Sequence, residues 1–341
     1  MADMIALLNT IRDNGSQAYQ ERIPEATRTN IESIQLAMVD GDNIMVANEF
    51  MSTLLNKLVK SVVHTKLFTN PLKQLKKGKK PLGDTIEEIY TNFIKGDVYD
   101  PEGVNLLKRN LPDTKAVYHR MNKKMRYKVT VSREQLTRAF ASYESLENYI
   151  TNIIQSLYNS AELDEFVNTK QLIKIAFDNN AIKVVDVADP TTTQANGTKF
   201  IKDVKTVSGL MVFPNSDFNS YLDVQETDDK PIITFTRKDE QILILDTATS
   251  ISVSVDVLAS LFNMSVAEFN DTRKIVIDTF PEKRIRALLV DEAFFQIYDD
   301  MFVVESFRNG EGLYDNYFLH SWQTFAYSPL VNAVAFAIPT A

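Results

Sequence analysis

A long stretch without helix breakers constrains the fold more than any other feature of this sequence. Residues 113–189 contain neither glycine nor proline. Within this stretch, apolar residues recur at spacings of three and four over 136–177, the periodicity of an amphipathic helix. Ser132 and Gln135 form a capping-box pattern, so we predict that the helix begins at Ser132. A helix of 40-odd residues far exceeds the average of about 11–12, so it is either a long spine or a kinked helix.

Two segments before this helix have the composition of β-strands. Residues 85–98 read TIEEIYTNFIKGDV, and residues 115–131 read KAVYHRMNKKMRYKVTV. A turn region bounded by Pro101 and Pro112 separates them. The lysine-rich segment 69–84 holds two prolines and two glycines and cannot be helical throughout. We therefore predict an extended β-hairpin.

The remaining segments have weaker signals. Residues 1–42 are polar and resemble an arm without a core, 43–64 predict an amphipathic helix, and 188–199 have loop composition. Residues 200–302 mix strand and helix signals, which predicts an α+β domain. The expected strands there are QILIL, SISVSV, RKIVID and RALLVD, and the expected helices are VDVLASLF, EAFFQIYDD and a short one opened by Ser265 and Glu268.

Charge is distributed unevenly along the chain. Residues 57–130 hold 17 Lys and Arg against 7 Asp and Glu, a local charge of +10; since the whole chain carries −8, the rest carries −18. A basic segment of this kind predicts contact with something acidic, either nucleic acid or another copy of the chain. For the lysine cluster within 73–80, a solvated loop, a subunit contact and a nucleic-acid contact all remain open.

The most aromatic stretch lies near the C-terminus, at 314–337, and includes the only tryptophan, Trp322. The spacing fits either a strand covered on both faces or a helix. In both cases we interpret the large aromatic side chains as part of a core or an interface rather than as catalytic groups. The aromatic residues assigned to this role are Tyr314, Tyr317, Phe318, Trp322, Phe325 and Tyr327.

Signs of chemistry are mostly missing. The chain has no cysteine, which excludes disulfides and thiolate metal sites, and its three histidines lie far apart. Phosphate-binding glycine motifs, nucleophile elbows and zinc-protease motifs do not occur. The adjacent carboxylates Asp299 and Asp300 are not assigned to catalysis, because neighbours on a strand face opposite sides. We therefore predict no enzyme activity, no cofactor and no metal. We also predict no membrane contact, because no apolar run approaches the roughly 18 residues that a membrane-spanning helix needs.

Three stretches together resemble the major capsid proteins of tailed bacteriophages, with the Hong Kong 97-like shell fold. They are FTNPLKQLKKGKKPLGDTIEEIY, YKVTVSREQLTRAF, and RALLVDEAFFQIYDDMFVVESF followed by YDNYFLHSWQTFAYSPLVNAVAF. The likeness runs from about residue 43 to the end. It implies an α+β capsid fold with an N-terminal arm, an extended β-hairpin loop, a peripheral domain with a long spine helix, and an axial domain.

The resemblance also implies an order of parts. The expected boundaries are 1–68 for the arm and its helix, 69–131 for the extended loop, 132–190 for the peripheral domain with the spine helix, 191–302 for the axial domain, 303–329 for return strands of the peripheral domain and 330–341 for a final axial strand. The family's loop lies across the neighbouring subunit. The expected contact residues are therefore its basic ones: Lys76, Lys77, Lys79, Lys80, Lys108, Arg109, Lys123, Lys124 and Arg126.

The function implied is structural. The chain would assemble with copies of itself into pentamers and hexamers of an icosahedral phage head that encloses double-stranded DNA without sequence specificity. The expected partners are a portal and a separate scaffolding protein, the latter on length alone. Assembly would take place in the host bacterial cytoplasm, and the product is the virion shell. Two alternatives stay open: an encapsulin-type cellular nanocompartment and a basic-hairpin nucleic-acid-binding protein.

Overall fold

The fold is described from a computed structural model of the chain. It describes residues 2–27, 29–30, 33–34, 49, 68–80, 85–99, 101–103, 107–132, 143–225, 230–253 and 274–339, and the side chains of 2–4, 6–7 and 143–154 are not described.

The described residues contain runs of consecutive strands as well as helices, and two short 3-10 helices at Pro71–Leu75 and Lys238–Glu240. The helices are α1 (Ala2–Asp13), α2 (Gln17–Arg22), α3 (Tyr143–Asp178), α4 (Gln194–Leu210), α5 (Tyr221–Gln225) and α6 (Thr247–Ser252). The strands are β1 (Lys76–Lys79), β2 (Thr85–Thr91), β3 (Thr114–Arg120), β4 (Lys123–Ser132), β5 (Lys183–Asp186), β6 (Gln241–Asp246), β7 (Lys274–Ile277), β8 (Ile285–Asp291), β9 (Phe295–Asn309), β10 (Tyr314–Tyr327) and β11 (Ala333–Ala337).

The strands of the described ranges form three sheets. One has four strands in the order β1-β9-β10-β4, one has five in the order β5-β11-β8-β6-β7, and one is the pair β2-β3. The residues divide into two compact units: 1–69, 124–164 and 301–322 form the first, and 70–123, 165–300 and 323–341 form the second.

The core of the second unit is the five-stranded sheet, which is covered on both faces. Along β6 the side chains of Ile242 and Ile244 belong to one apolar cluster, and those of Leu243 and Leu245 belong to another. The first cluster includes Leu172, Ile173 and Ala176 of α3, and the second includes Phe200, Val204 and Val207 of α4. Since alternate residues of a strand face opposite sides, a continuous apolar run such as QILIL fits a strand buried between helices.

The first unit holds a smaller core around those parts of β4, β9 and β10 that belong to it. Leu319 of β10 packs against Leu157 and Ala161 of α3, with Tyr127 and Val129 of β4 beside them. The Tyr127 hydroxyl donates a hydrogen bond to Asp164 on the same helix at 2.9 Å. One face of this sheet therefore lies against the helix.

The N-terminal helices belong to the same unit and have buried apolar residues of their own. Ile11 of α1 and Tyr19 of α2 are almost fully buried, and burial raises the pKa of Tyr19. Arg12 donates from Nε to the carbonyl of Ile23 at 2.8 Å, and Ser16 caps α2 by accepting from the Tyr19 N–H. This differs from the expectation of a polar segment without a core, because apolar residues spaced along two short helices suffice to build one.

Several predicted elements are confirmed. The long helix spans 36 residues to Asp178, and the strands at QILIL, RKIVID and RALLVD are present as β6, β7 and β8. The aromatic stretch is the strand β10, which decides between the two open interpretations. The segment predicted as 115–131 is two strands, β3 and β4, and only residues 85–91 of the segment 85–98 are strand.

Three local predictions are wrong. Residues 250–252 of SISVSV lie in the helix α6, because Asp246 caps its start by accepting from the Thr249 N–H. EAFFQIYDD is not a helix, since Phe295 onwards forms β9, where Phe295 and Ile297 are buried. The supposed loop 188–199 already contains the start of α4, capped by the Thr193 side chain.

Other predictions fall outside the described residues. These are nearly all of the amphipathic helix 43–64, the helices at VDVLASLF and Ser265, and residues 133–142, which follow the predicted helix start at Ser132.

Candidate functional site

The extended hairpin has a regular two-stranded stem. β2 and β3 pair antiparallel from Thr85 opposite Arg120 to Thr91 opposite Thr114. Two cross-strand pairs involve acids: Tyr118 donates to Glu87 at 2.8 Å, and a ring nitrogen of the buried His119 lies 2.8 Å from Glu88. Adjacent glutamates therefore point to different partners, as expected on a strand.

The base of the hairpin is fixed by a buried ionic network. The ammonium of Lys76 lies 2.7 Å from Glu165 of α3 and 2.8 Å from Asp299 of β9. Gln323 of β10 donates to both carboxylates, at 2.7 and 3.0 Å, and Asn70 donates to Glu165 at 3.3 Å. The side chains of Lys76 and Glu165 are only 15% and 8% exposed, so each charge depends on the others for compensation.

The neighbouring lysines continue this anchoring. Lys80 pairs with Asp300 at 3.0 Å, and Asp300 also accepts from the Thr324 hydroxyl at 2.8 Å. Lys77 donates to the carbonyl of Glu292 at 2.6 Å. Asp299 and Asp300 thus serve different lysines, which gives the adjacent carboxylates a structural role.

Electrostatics at Lys76 favour the charged form. Burial alone lowers the pKa of this lysine, but hydrogen bonds and charge interactions with Asp299 and Glu165 outweigh it, and the pKa is raised from 10.5. The Lys76 side chain is therefore charged at neutral pH and stays part of the ionic network at the base of the hairpin.

The far end of the stem is anchored by Asn92. Its amide donates to Asp113 at 2.7 Å and to the carbonyl of Pro231 at 3.1 Å, and its oxygen accepts from the Ile233 N–H at 3.0 Å. The Tyr90 hydroxyl donates to the Ile233 carbonyl at 2.7 Å. Hydrogen bonds from Asn92 and Lys115 hold the pKa of Asp113 below its usual value. Both ends of the stem are thus attached to the same compact unit.

Beyond Asn92 the hairpin tip, which we define as residues 93–112, exposes large apolar side chains among charged ones. The tip is described without residues 100 and 104–106. Six large apolar side chains have exposed fractions between 55% and 94%: Phe93, Ile94, Val98, Tyr99, Leu107 and Leu111. A single protein chain seldom leaves so much apolar surface uncovered without an interaction to make.

The structure separates the predicted basic contact residues into groups. Lys76, Lys77 and Lys80 bond within the chain, as described above. Lys124 and Arg126 lie over aromatic rings of β10, at 4.6 Å from Trp322 and 5.3 Å from Phe318. Lys79, Lys108 and Arg109 are exposed, and Lys123 is partly so. Contact with another subunit remains a prediction for all of them.

The predicted aromatic residues all lie on β10. Tyr317 and Phe325 are buried, at 2% and 7% exposure, and the other four are partly exposed. Tyr327 stacks on Phe294 at 6.1 Å and accepts a hydrogen bond from Asn179 at 3.1 Å. Tyr314 accepts from Asn309 at 2.8 Å next to the turn that joins β9 to β10.

Sequence reasoning did not identify Glu165, Gln323 or Asn92 as functional. Glu165 lies 89 positions from Lys76, and a polar residue on an amphipathic helix gives no local sign of a distant partner. The sequence held one indirect sign of this network. Asp299 and Asp300 are adjacent carboxylates, and the lysine-rich segment 73–80, far from them in sequence, needed acidic partners.

Metal binding and membrane insertion find no support in the described residues. Within the described ranges, no group of three or more acidic or histidine side chains is arranged to hold a metal ion. No helix in the part of the chain that the structure describes has the length and apolar character needed to cross a bilayer.

Two solved structures of phage particles contain chains with a similar fold. The chain matches the capsid structure of Staphylococcus phage Andhra with a TM-score of 0.64 and 14% identity, over 80% of this chain and 85% of that chain. It matches a structure of the head fiber and inner core protein of bacteriophage P68 with a TM-score of 0.60 and 12% identity, over 81% and 86% of the two chains. The α+β, Hong Kong 97-like capsid fold is therefore confirmed.

Curated relatives are described as major capsid proteins. The protein of Bacillus phage GA-1 is 40% identical over 294 residues, which are 85% of this chain and 60% of that protein. The protein of Bacillus phage PZA is 33% identical over 336 residues, or 97% of this chain and 72% of that protein. That of Streptococcus phage Cp-1 is 27% identical, over 93% and 89% of the two chains. This chain thus spans about 60% of the length of the GA-1 protein.

A family model described as Phi29-like phage major capsid protein matches residues 8–337. The match includes α2 and the second half of α1, which the sequence resemblance had left out. The chain belongs to the family of Phi29-like phage major capsid proteins.

Proposed function

We propose that this chain is a shell subunit that assembles with copies of itself into the pentamers and hexamers of an icosahedral phage head. Membership in a capsid family and the capsid fold support this role. The observation that carries the proposal is the exposed apolar tip on a stem anchored at both ends. A rigid stem presents the tip to a neighbour without first having to order it.

Magnitudes favour the apolar side chains over the lysines as the source of affinity. Burying one large apolar side chain contributes roughly 1.5–3 kcal/mol, whereas an exposed ion pair contributes at most about 1 kcal/mol. Lys108 and Arg109 lie in the tip and would steer its approach to an acidic neighbour. Lys76 and Lys80 already neutralise carboxylates of their own chain, so they would act by holding the stem.

The remaining partners belong to the same proposal. The shell would enclose double-stranded DNA without sequence specificity and assemble in the host bacterial cytoplasm with a separate scaffolding protein and a portal. An encapsulin-type compartment is less favoured, because the matching family and the curated relatives are phage major capsid proteins.

The test removes the apolar tip while leaving the stem intact. Val98→Ser, Leu107→Ser and Leu111→Ser are combined in one variant, and Val98→Ile, Leu107→Met and Leu111→Met form the matched control. Sedimentation velocity and negative-stain microscopy follow assembly, with the candidate scaffolding protein added if the wild type needs it. We expect shells or capsomers from the wild type and the control, and unassembled subunits from the serine variant.

Urea unfolding of the unassembled subunits completes the test. We expect the serine variant to match the wild type within about 0.5 kcal/mol, because exposed side chains contribute little to stability. A serine variant that assembles like the wild type would refute the role of the tip. A wild-type chain that stays monomeric with its scaffold and binds DNA tightly at low salt would favour the nucleic-acid-binding alternative instead.

A further inference from the structure

One face of the sheet in the first unit carries a row of cations seated on aromatic rings. Lys124, Arg126 and Lys128 alternate along β4 and are exposed. Lys124 lies 4.6 Å from the ring centre of Trp322, and Arg126 and Lys128 lie 5.3 and 5.9 Å from that of Phe318. We call these three residues the cation row.

The cation row faces away from α3. Tyr127 and Val129, which alternate with it, pack with Leu319 against Leu157 and Ala161 of the helix. Alternation along a strand therefore places the cation row, Phe318 and Trp322 on the opposite, open face. β4 is the edge strand of this sheet as described, so nothing in the sheet order lies beyond it.

The cation row differs from the lysines at the hairpin base in its partners. Lys76 and Lys80 pair with carboxylates, whereas no carboxylate within salt-bridge distance of the cation row occurs among the described residues. The aromatic rings fix where the cations lie without neutralising them, since a cation over a ring keeps its charge. The row thus offers positive charge at defined positions to a partner outside the unit.

β9, which lies on the other side of β10 from β4, adds little negative charge to this face. Val304 of β9 belongs to the helix-side cluster, so alternation places Val303, Glu305 and Phe307 on the open face. Among the described residues of the first unit, this face therefore carries one glutamate against three cations, and its net charge is positive. Val303 and Phe307 are 41% and 69% exposed, and they are the groups that a protein partner would use.

We propose that the cation row binds the phosphate backbone of duplex DNA, weakly and without sequence preference. Residues two apart on a strand are about 6.8 Å apart, so the row spans about 14 Å of an extended edge. Its rings are covered by cations and are not open for base stacking, which favours a backbone contact with a duplex over a single strand. The proposal rests on the proposed shell function for the presence of DNA beside the subunit.

The experiment measures binding of a 30-base-pair duplex of arbitrary sequence to the purified full chain over a series of salt concentrations. The variant combines Lys124→Gln, Arg126→Gln and Lys128→Gln. The control combines Lys199→Gln, Lys202→Gln and Lys205→Gln on α4, which removes the same charge elsewhere. Loss of three phosphate contacts predicts a slope of log affinity against log salt that is shallower by about 2 to 3, and binding about tenfold or more weaker at low salt. The control should keep the wild-type slope.

Other outcomes overturn the proposal. If the variant and the control lose affinity equally, only the net charge of the chain matters and the row is no site. If poly-glutamate binds more tightly than the duplex, and Val303→Ser with Phe307→Ser weakens that binding, the face is a protein-binding surface. Shell formation is scored separately by sedimentation, so a chain that assembles but shows no change in slope refutes this inference and leaves the shell function standing.

Discussion

The base and the tip of one hairpin follow opposite physical rules. At the base, Lys76 is 15% exposed and is surrounded by Glu165 and Asp299 at hydrogen-bonding distance. At the tip, Val98 and Leu107 are 94% and 92% exposed. Charge is buried where the hairpin joins its own chain, and apolar surface is left open where the hairpin leaves it.

This contrast assigns each end a different task. A buried ionic network depends on exact partners, so it fixes one orientation of the hairpin more effectively than it stabilises the fold. Exposed apolar side chains have no directional demand and gain free energy once a second surface covers them. The comparison predicts that substitutions at the base change the stability of a subunit, whereas substitutions at the tip change its association.

Lys76→Met should have the largest effect on stability. The substitution leaves Glu165 and Asp299 buried without their cation, and breaking a buried ion pair costs about 3 kcal/mol or more. Urea unfolding of the unassembled subunit measures the loss. Lys79→Met, an exposed position on the same strand, is the matched control and should stay within about 0.5 kcal/mol of the wild type. Equal unfolding midpoints for the two variants would show that the network does not hold the base.

Asn92→Ala should have the next largest effect. It removes an amide that makes three hydrogen bonds and leaves the Ile233 N–H and Asp113 without that partner, at a cost of about 2 kcal/mol. Hydrogen exchange should then rise at residues 231–233 and in the outer part of the stem. Asn110→Ala in the exposed tip is the control, with almost no effect expected. Unchanged protection at 231–233 would contradict the anchoring role.

Gly78→Ala should cost about 1 kcal/mol, because Gly78 has a φ of +98° where β1 shifts register against β9. No neighbouring atom obstructs a methyl group there, so the cost comes from the backbone alone. Gly209→Ala in α4, also unobstructed, should instead stabilise by roughly 0.5–1 kcal/mol. Thermal unfolding should show a lower melting temperature for Gly78→Ala and a higher one for Gly209→Ala. An unchanged melting temperature for Gly78→Ala would mean that the backbone at the register shift adjusts without cost.

The elements that could be predicted from the sequence are those determined by residues close to one another in the chain. The helix to Asp178 follows from a periodicity that any short window displays, whereas the spacing at 314–327 left a strand and a helix equally open until the fold showed a strand. EAFFQIYDD was misread because a short apolar run fits a helix or a strand equally well until its neighbours are known. The base of the hairpin was beyond local reasoning, since Lys76 and Glu165 meet only through the fold. The apolar tip was missed because it was read as strand and turn, and exposure depends on what lies beside a segment.

The smallest effect concerns pH and asks whether the charge of Lys76 or its packing stabilises the base. The pKa of Lys76 is raised above 10.5 by Asp299 and Glu165, so the stabilisation from its charge is complete below about pH 10.5 and is lost as pH rises through the raised value. The difference in unfolding free energy between the wild type and Lys76→Met should therefore be constant at pH 8–10 and shrink towards about pH 12. Other lysines and tyrosines titrate in both proteins and cancel in the difference. A difference that stays constant throughout would assign the stabilisation to the packing of the Lys76 side chain. Apolar contact, rather than charge, would then be what matters at the base of the hairpin as well as at its tip.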